Sequence, residues 1–177
     1  MAGVQRYVIA LGSNVPHHRH GRPRGVIAAA LRHLADHGIA VISRSRTIST
    51  PPVGPSRRRY ANAAAIIETA LPPDQLLKEI KAVERTFGRT RGAQRWASRV
   101  LDLDIVLWDS GFWATPGLVI PHPAFRQRGF VLRPAADIAP RWRDPLTGLT
   151  IRHLLARHLR ARAVDRHHPL DPPLRAA

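Results

Sequence analysis

The stretch Leu101-Asp102-Leu103-Asp104-Ile105-Val106-Leu107-Trp108 constrains the fold more than any other part of the chain. Its residues alternate with a period of two, the repeat of a β-strand with one buried face. Leu101, Leu103, Ile105 and Leu107 are expected on the core side. Asp102 and Asp104 then share the opposite side, with their Cα atoms about 7 Å apart. Like charges side by side on a strand are destabilising unless a cation answers them. Mg²⁺ suits such a pair, because it takes one or two carboxylates and fills the rest of its shell with water and substrate phosphates. Arg89, Arg91, Arg95 and Arg99 lie just upstream, and guanidinium forks match phosphate geometry. The local reading is a metal-nucleotide site.

The neighbouring segments set the architecture. Tyr7 to Leu11 is a short apolar run that ends at Gly12-Ser13-Asn14, a turn signal. Val26, Ile27, Ala30, Leu31 and Leu34 fall at helical spacing, with Gly38 as the stop. Ile39 to Thr50 reads as one extended strand, broken by Pro51-Pro52-Val53-Gly54-Pro55. Tyr60 to Thr69 reads as another. Asp74 is expected to N-cap a helix carrying Leu76, Leu77, Ile80, Val83 and Phe87, which stops at Gly88. The strand with the aspartates follows. The order β-α-β-β-α-β predicts an α+β fold of the ferredoxin-like, split-βαβ kind, an antiparallel sheet with helices packed on one face. Phe130 to Ile138 and Ile151 to Leu159 read as further helices. One domain is expected over residues 1–162. The segment 163–177, rich in Pro, His and Arg, is expected to be a poorly ordered basic tail.

Composition excludes some functions. The chain has no cysteine, which rules out disulfides and thiolate metal sites. It has no apolar run long enough to span a membrane. Its start lacks a signal-peptide layout, so a cytoplasmic protein is expected. The net charge is +16, and only Lys78 and Lys81 are lysines, so 26 of the 28 basic residues are arginine. The arginines are scattered instead of massed, which favours a solvated basic surface over a dedicated polyanion site.

Smaller constellations are compatible with chemistry, although Tyr60 alone reads as an ordinary strand-start tyrosine and His122 alone as structural. Tyr60 and Asn62 share a strand face, and an aromatic plane beside an amide can receive a flat heterocycle. His122 stands between Pro121 and Pro123, followed by Arg126, Arg128 and Phe130, a composition suited to a loop closing over a nucleotide. His17, His18 and His20 are interleaved with arginines that oppose cation binding, so a solvated loop is expected there. The Gly12-Ser13-Asn14 turn is too short for a Walker phosphate loop.

In order and spacing, these motifs resemble the 6-hydroxymethyl-7,8-dihydropterin pyrophosphokinase family of folate biosynthesis. The resemblance runs from about Tyr7 to Leu159. It includes Ala10-Leu11-Gly12-Ser13-Asn14, Thr50-Pro51-Pro52-Val53-Gly54, Tyr60-Ala61-Asn62-Ala63 and Gly88-Arg89-Thr90-Arg91. It continues through Arg95-Trp96, Arg99, Leu101-Asp102-Leu103-Asp104-Ile105, Ile120-Pro121-His122-Pro123 and Arg128-Gly129-Phe130-Val131-Leu132, and closes with Asp137-Ile138-Ala139-Pro140.

The resemblance implies transfer of pyrophosphate from ATP to the pterin hydroxymethyl group, with release of AMP. It implies that Asp102 and Asp104 hold two Mg²⁺ ions. Tyr60 and Phe130 match the aromatics that sandwich the pterin, Asn62 matches the amide that reads its edge, and Thr50, Pro51 and Val53 match backbone lining that pocket. Arg89, Arg91, Trp96, Arg99, His122 and Arg128 match positions on the nucleotide side, with Arg89 and Arg99 among the catalytic groups. Glu84 matches a position near the nucleotide or one layer behind it. The expected partners are small molecules, ATP and the pterin, with no membrane, no specific nucleic acid, and a monomeric protein. The chain departs from the family pattern at Ala97-Ser98, where a Gly-Pro pair is usual, at Ile48, where an aromatic is common, and in the basic loop from His17 to Gly25. Two other readings compete. A basic nucleic-acid-binding module is disfavoured because Asp102 and Asp104 would repel phosphate. An inactive pterin-binding relative is disfavoured by the intact aspartate pair.

Overall fold

The computed structural model describes residues 3–51, 58–88 and 100–166. Strand β1 (Gln5–Ser13) runs through the centre of the sheet, and Tyr7 to Leu11 are all buried. An uninterrupted apolar run is what a strand covered on both faces requires. Helix α1 (Pro23–Asp36) starts on a proline, whose fixed φ suits the first turn, and stops before Gly38 at φ +78°. Strands β2 (Ala40–Arg44) and β3 (Ile48–Thr50) both pair with β4 (Tyr60–Thr69). Helix α2 (Pro73–Thr86) stops before Gly88 at φ +90°. Strand β5 (Asp102–Trp108), the hairpin of β6 (Trp113–Thr115) and β7 (Leu118–Ile120), a 3₁₀ turn over Phe125–Gln127, helix α3 (Gly129–Ile138) and helix α4 (Ile151–Arg166) complete the chain.

The main sheet has the order β2-β4-β1-β5 with β3 beside β4, and every neighbouring pair is antiparallel. This is the expected split-βαβ arrangement. One core lies between the sheet and helices α1 and α2. It contains Tyr7, Ile9, Leu11, Leu34, Ile67, Leu76, Ile80, Leu101, Leu103 and Ile105. A second core lies on the opposite face and joins Val8, Ala10, Ala64, Val106 and Leu107 to Phe125, Leu132, Ile151 and Leu154. Helices therefore cover both faces, whereas the sequence reading placed them on one. The residues of α3 and α4 follow the β-α-β-β-α-β unit, and their apolar sides need a surface to bury.

Other expectations change for local reasons. Leu107 does not share a face with Leu101, Leu103 and Ile105. Val8 pairs with Leu107 but Ile9 pairs with Ile105, so Val106 is the extra residue of a β-bulge. The bulge turns Leu107 to the second core. The single strand Ile39–Thr50 is split at residues 45–47. There Ser45 takes over the pairing with Ala64, its N–H donating to the Ala64 carbonyl at 2.9 Å and its Oγ accepting the Ala64 N–H at 3.0 Å. Asp74 sits in the first turn of α2, while Pro72 holds the cap position. The loop of His17 and His20 is anchored rather than wholly solvated, since both rings pack on Phe87, with centroids 5.9 and 4.9 Å away. Helix α4 continues to Arg166, past the expected boundary at 162, and residues 167–177 lie outside the described residues.

One buried carboxylate fixes the strand that carries the aspartates. Glu84 on α2 is fully buried, and its Oε1 accepts the Leu103 N–H at 2.9 Å while Oε2 pairs with Lys81 at 2.9 Å. Strand β5 ends the sheet order, so the Leu103 amide points away from β1 and needs this acceptor. Glu84→Ala should lower the unfolding free energy by about 1–3 kcal/mol, the cost of an unsatisfied buried amide. Glu84→Gln, which keeps an acceptor, should recover most of that loss. Urea unfolding of the two variants checks both.

Candidate active site

Strand register gathers the polar residues at one end of the second face. Asp102 pairs with Gly12, Gly12 with Asn62, and Asn62 with Ile48. The next row on that face is Asp104, Ala10 and Ala64. The floor between the two aspartates and Asn62 is therefore built from Gly12 and Ala10, the smallest side chains available. A Cβ on Gly12 would come within 3.4 Å of Asn62 Oδ1 and 4.0 Å of Asp102 Cβ, filling the gap between them.

Asp102 and Asp104 lie together on this face, as the alternation predicts, and Asp104's side chain is 30% exposed. A guanidinium and an imidazole from one segment stand over Asp104. Arg128 Nη1 is 3.7 Å and His122 Nε2 3.9 Å from its Oδ2. His122 Nδ1 accepts the Ala124 N–H at 3.1 Å, so a neutral ring carries its proton on Nε2, facing the carboxylate. Burial holds the imidazole below the ordinary histidine range; Asp104 pulls it back up and Arg128 pushes it down. The His122 N–H also donates to the Val106 carbonyl at 3.0 Å, tying this segment to the bulge in β5.

Tyr60 and Asn62 come from β4, and Asn62 is 5% exposed. Its Nδ2 donates to Thr50 Oγ1 at 2.8 Å, which fixes the amide plane and leaves the carbonyl turned toward Gly12. The resemblance implies only a backbone role for Thr50, but its hydroxyl also orients Asn62. Pro51 follows it, exposed at the end of β3. Phe130 opens α3, half-buried against the second core, with the Arg128 guanidinium 5.8 Å from its ring centre. Helix α3 lies against β3 and β4, which brings Phe130 to the face that Tyr60 and Asn62 occupy. Glu84 stands behind this arrangement, on the α2 side, and reaches the site through the backbone of Leu103. Arg89, Arg91, Trp96, Arg99 and Val53 lie outside the described residues.

Among the described residues, no three or more His, Cys, Asp or Glu side chains are gathered to hold a metal ion. Two carboxylates, Asp102 and Asp104, share one face. That set fits Mg²⁺, which leaves most of its positions to water and phosphate. Gly12 is the residue the sequence reading missed. It was read as part of a turn, but β1 continues to Ser13 and Gly12 pairs on both sides. The available signal was its place within the strand repeat, two residues beyond Ala10 on the same face.

Comparison with known proteins identifies the family. Residues 8–140 match the family described as 7,8-dihydro-6-hydroxymethylpterin-pyrophosphokinase. A 2-amino-4-hydroxy-6-hydroxymethyldihydropteridine pyrophosphokinase of Methylorubrum extorquens is 38% identical over 156 residues, 87% of this chain and 94% of that protein. The Pseudomonas aeruginosa protein of the same name is 38% identical over 146 residues, 80% of this chain and 85% of its own length. Among solved structures, Plasmodium falciparum HPPK-DHPS with pteroate superposes with a TM-score of 0.69 at 13% identity, over 94% of this chain and 44% of that longer one. That likeness concerns the fold. With three-quarters of its length matched and relatives above a third identical over most of the chain, the chain belongs to the 7,8-dihydro-6-hydroxymethylpterin-pyrophosphokinase family.

Proposed function

We propose that the sheet face bearing Asp102, Asp104 and Asn62 is where this protein performs its reaction. The protein is a pyrophosphokinase of folate biosynthesis that uses ATP as co-substrate and 6-hydroxymethyl-7,8-dihydropterin as acceptor. The observation that carries the site assignment is the row Asp102-Gly12-Asn62, which sets a carboxylate one small residue away from an oriented amide.

Asp102 and Asp104 would hold two Mg²⁺ ions on the nucleotide phosphates. Bound Mg²⁺ neutralises phosphate oxygens and makes the β-phosphorus more open to attack. Tyr60 and Phe130 stack on the pterin, and Asn62, held by Thr50, pairs with its polar edge. The pocket wall includes backbone of Thr50, Pro51 and Val53. Arg128 and His122 already stand against Asp104. With a cation held by that carboxylate, both side chains would be within reach of the phosphates. Arg89, Arg91, Trp96 and Arg99 complete the nucleotide side, and Arg89 and Arg99 neutralise the transferring group. Glu84 supports the nucleotide side indirectly by fixing β5.

The pterin hydroxymethyl oxygen forms a bond to the β-phosphorus, and the bond from that phosphorus to the bridging oxygen of the α-phosphate breaks. AMP leaves with the bridging oxygen, and the hydroxyl proton passes to water. Alignment of the two substrates and charge neutralisation supply the acceleration, without a strong side-chain base. The reading is of a monomer acting on small molecules in the cytoplasm.

Incubation with MgATP and 6-hydroxymethyl-7,8-dihydropterin should yield AMP and the pterin diphosphate. Asp102→Asn and Asp104→Asn should each cut turnover by about 100-fold or more while the thermal transition persists. Near-native turnover of either variant at saturating metal contradicts the assignment.

Tyr60→Ala, Phe130→Ala and Asn62→Ala should weaken pterin binding far more than nucleotide binding. Each lost ring should cost about 1 kcal/mol beyond area burial. Calorimetric titration with each ligand separates the effects, and equal weakening of both counts against the stacking assignment.

A further inference from the structure

We propose that Arg126 and Asp144 are positioning residues, a clamp of a half-buried guanidinium on a buried carboxylate that sets the segment from His122 to Phe130 over the reacting groups. The inference rests on the site assignment given above. Asp144 lies in the connection between α3 and α4 and is fully buried. Its Oδ2 accepts Arg126 Nε at 2.7 Å and its Oδ1 accepts Arg126 Nη2 at 2.6 Å, a two-pronged fork. The Leu146 N–H donates to Oδ1 at 3.2 Å and the Thr147 hydroxyl to Oδ2 at 2.5 Å. Each carboxylate oxygen thus receives two donors. The guanidinium also lies 4.8 Å from the ring centre of Phe125, a residue of the second core that is 1% exposed.

The position of Arg126 gives this clamp its consequence. It is the middle residue of the 3₁₀ turn, four residues after His122, two before Arg128 and four before Phe130. The turn is rigidly continuous with α3. The Arg128 N–H donates to the Phe125 carbonyl at 3.2 Å, and the Arg128 carbonyl accepts the N–H groups of Val131 and Leu132 at 2.9 Å each. A displacement at Arg126 is therefore passed to Arg128, 3.7 Å from Asp104, and to Phe130. The fork also neutralises Arg126, so that of the two arginines it is Arg128 that points to the carboxylate face.

A buried ion pair is an inefficient way to add stability, because desolvation offsets the attraction and apolar residues of similar shape do as well. What a fork supplies instead is orientation, since two parallel bonds fix the guanidinium plane. Burial alone would raise the Asp144 carboxyl, but the bonds from Arg126, Thr147 and the Leu146 amide more than reverse this and hold it below its ordinary range. The pair is therefore charged at neutral pH and comes apart only as pH falls through that lowered value.

The test uses the full chain with Arg126→Lys, Asp144→Asn and the paired apolar replacement Arg126→Met with Asp144→Leu. The last keeps packing without leaving a buried charge. Two readouts are needed. In ligand-free protein, backbone amides from Ala124 to Phe130 should exchange faster in the variants, while those of β1 and β4 stay protected. With a non-hydrolysable ATP analogue and Mg²⁺ present, pterin affinity of the folded variants should fall about tenfold. On a Phe130→Ala background the same substitutions should lose most of that effect, because clamp and ring act together. A purely structural pair would lower the melting temperature and leave the folded protein's pterin affinity unchanged. Unchanged affinity, unchanged exchange, or an equal factor on both backgrounds overturns the clamp. A wild-type protein that binds no pterin overturns the site assignment, and the clamp's proposed role with it.

Discussion

The ladder of hydrogen bonds between β5, β1 and β4 is the constraint on which the rest of the site depends. Antiparallel pairing puts Asp102, Gly12 and Asn62 in one row, and a slip of one residue in either pair would turn the polar side chains into the apolar core. Several devices pin that register. The alternation of Leu101, Leu103 and Ile105 requires burial toward α1 and α2. Glu84 holds the outer edge of β5 at Leu103, midway between the aspartates. The bulge at Val106 then ends the alternation just past the site, so that Leu107 can anchor α3 and α4 on the same face. One strand thereby serves two cores and presents two carboxylates between them.

The electrostatics follow from that placement. Two carboxylates on one strand face repel, and their neighbourhood is arranged to offset this. The Arg128 guanidinium at 3.7 Å supplies positive charge over Asp104, while the His122 ring at 3.9 Å is held toward its neutral form by burial. Both contacts are longer than a tight charge-assisted hydrogen bond. A cation with fixed oxygen geometry can therefore displace them at small cost. The net charge of +16 adds a general attraction for anionic nucleotides, screened at physiological salt.

Much of this was legible in the sequence, and the parts that were not share a cause. The aspartate pair, the β4 face of Tyr60 and Asn62, and the glycine stops of α1 and α2 all rest on local periodicity or backbone conformation, which neighbouring residues encode. The Val106 bulge, the second core and the contact of Glu84 with Leu103 depend on partners distant in the chain, and a period-two pattern carries no mark of an extra residue. Gly12 looked like a turn because glycine usually is one; its role as the floor appears only when Asn62 and Asp102 flank it. Arg126 and Arg128 look alike in sequence. Only the three-dimensional position of Asp144 shows that one is bound within the protein and the other points to the carboxylate face.

The most direct test of the account is a crystal structure with Mn²⁺ in place of Mg²⁺, a non-hydrolysable ATP analogue and the hydroxymethylpterin, read by anomalous scattering from manganese. The account predicts manganese within about 2.5 Å of the carboxylates of Asp102 and Asp104, bridging them to the nucleotide phosphates, with the pterin between Tyr60 and Phe130. Manganese bound elsewhere, or a nucleotide seated away from this sheet face, would contradict it.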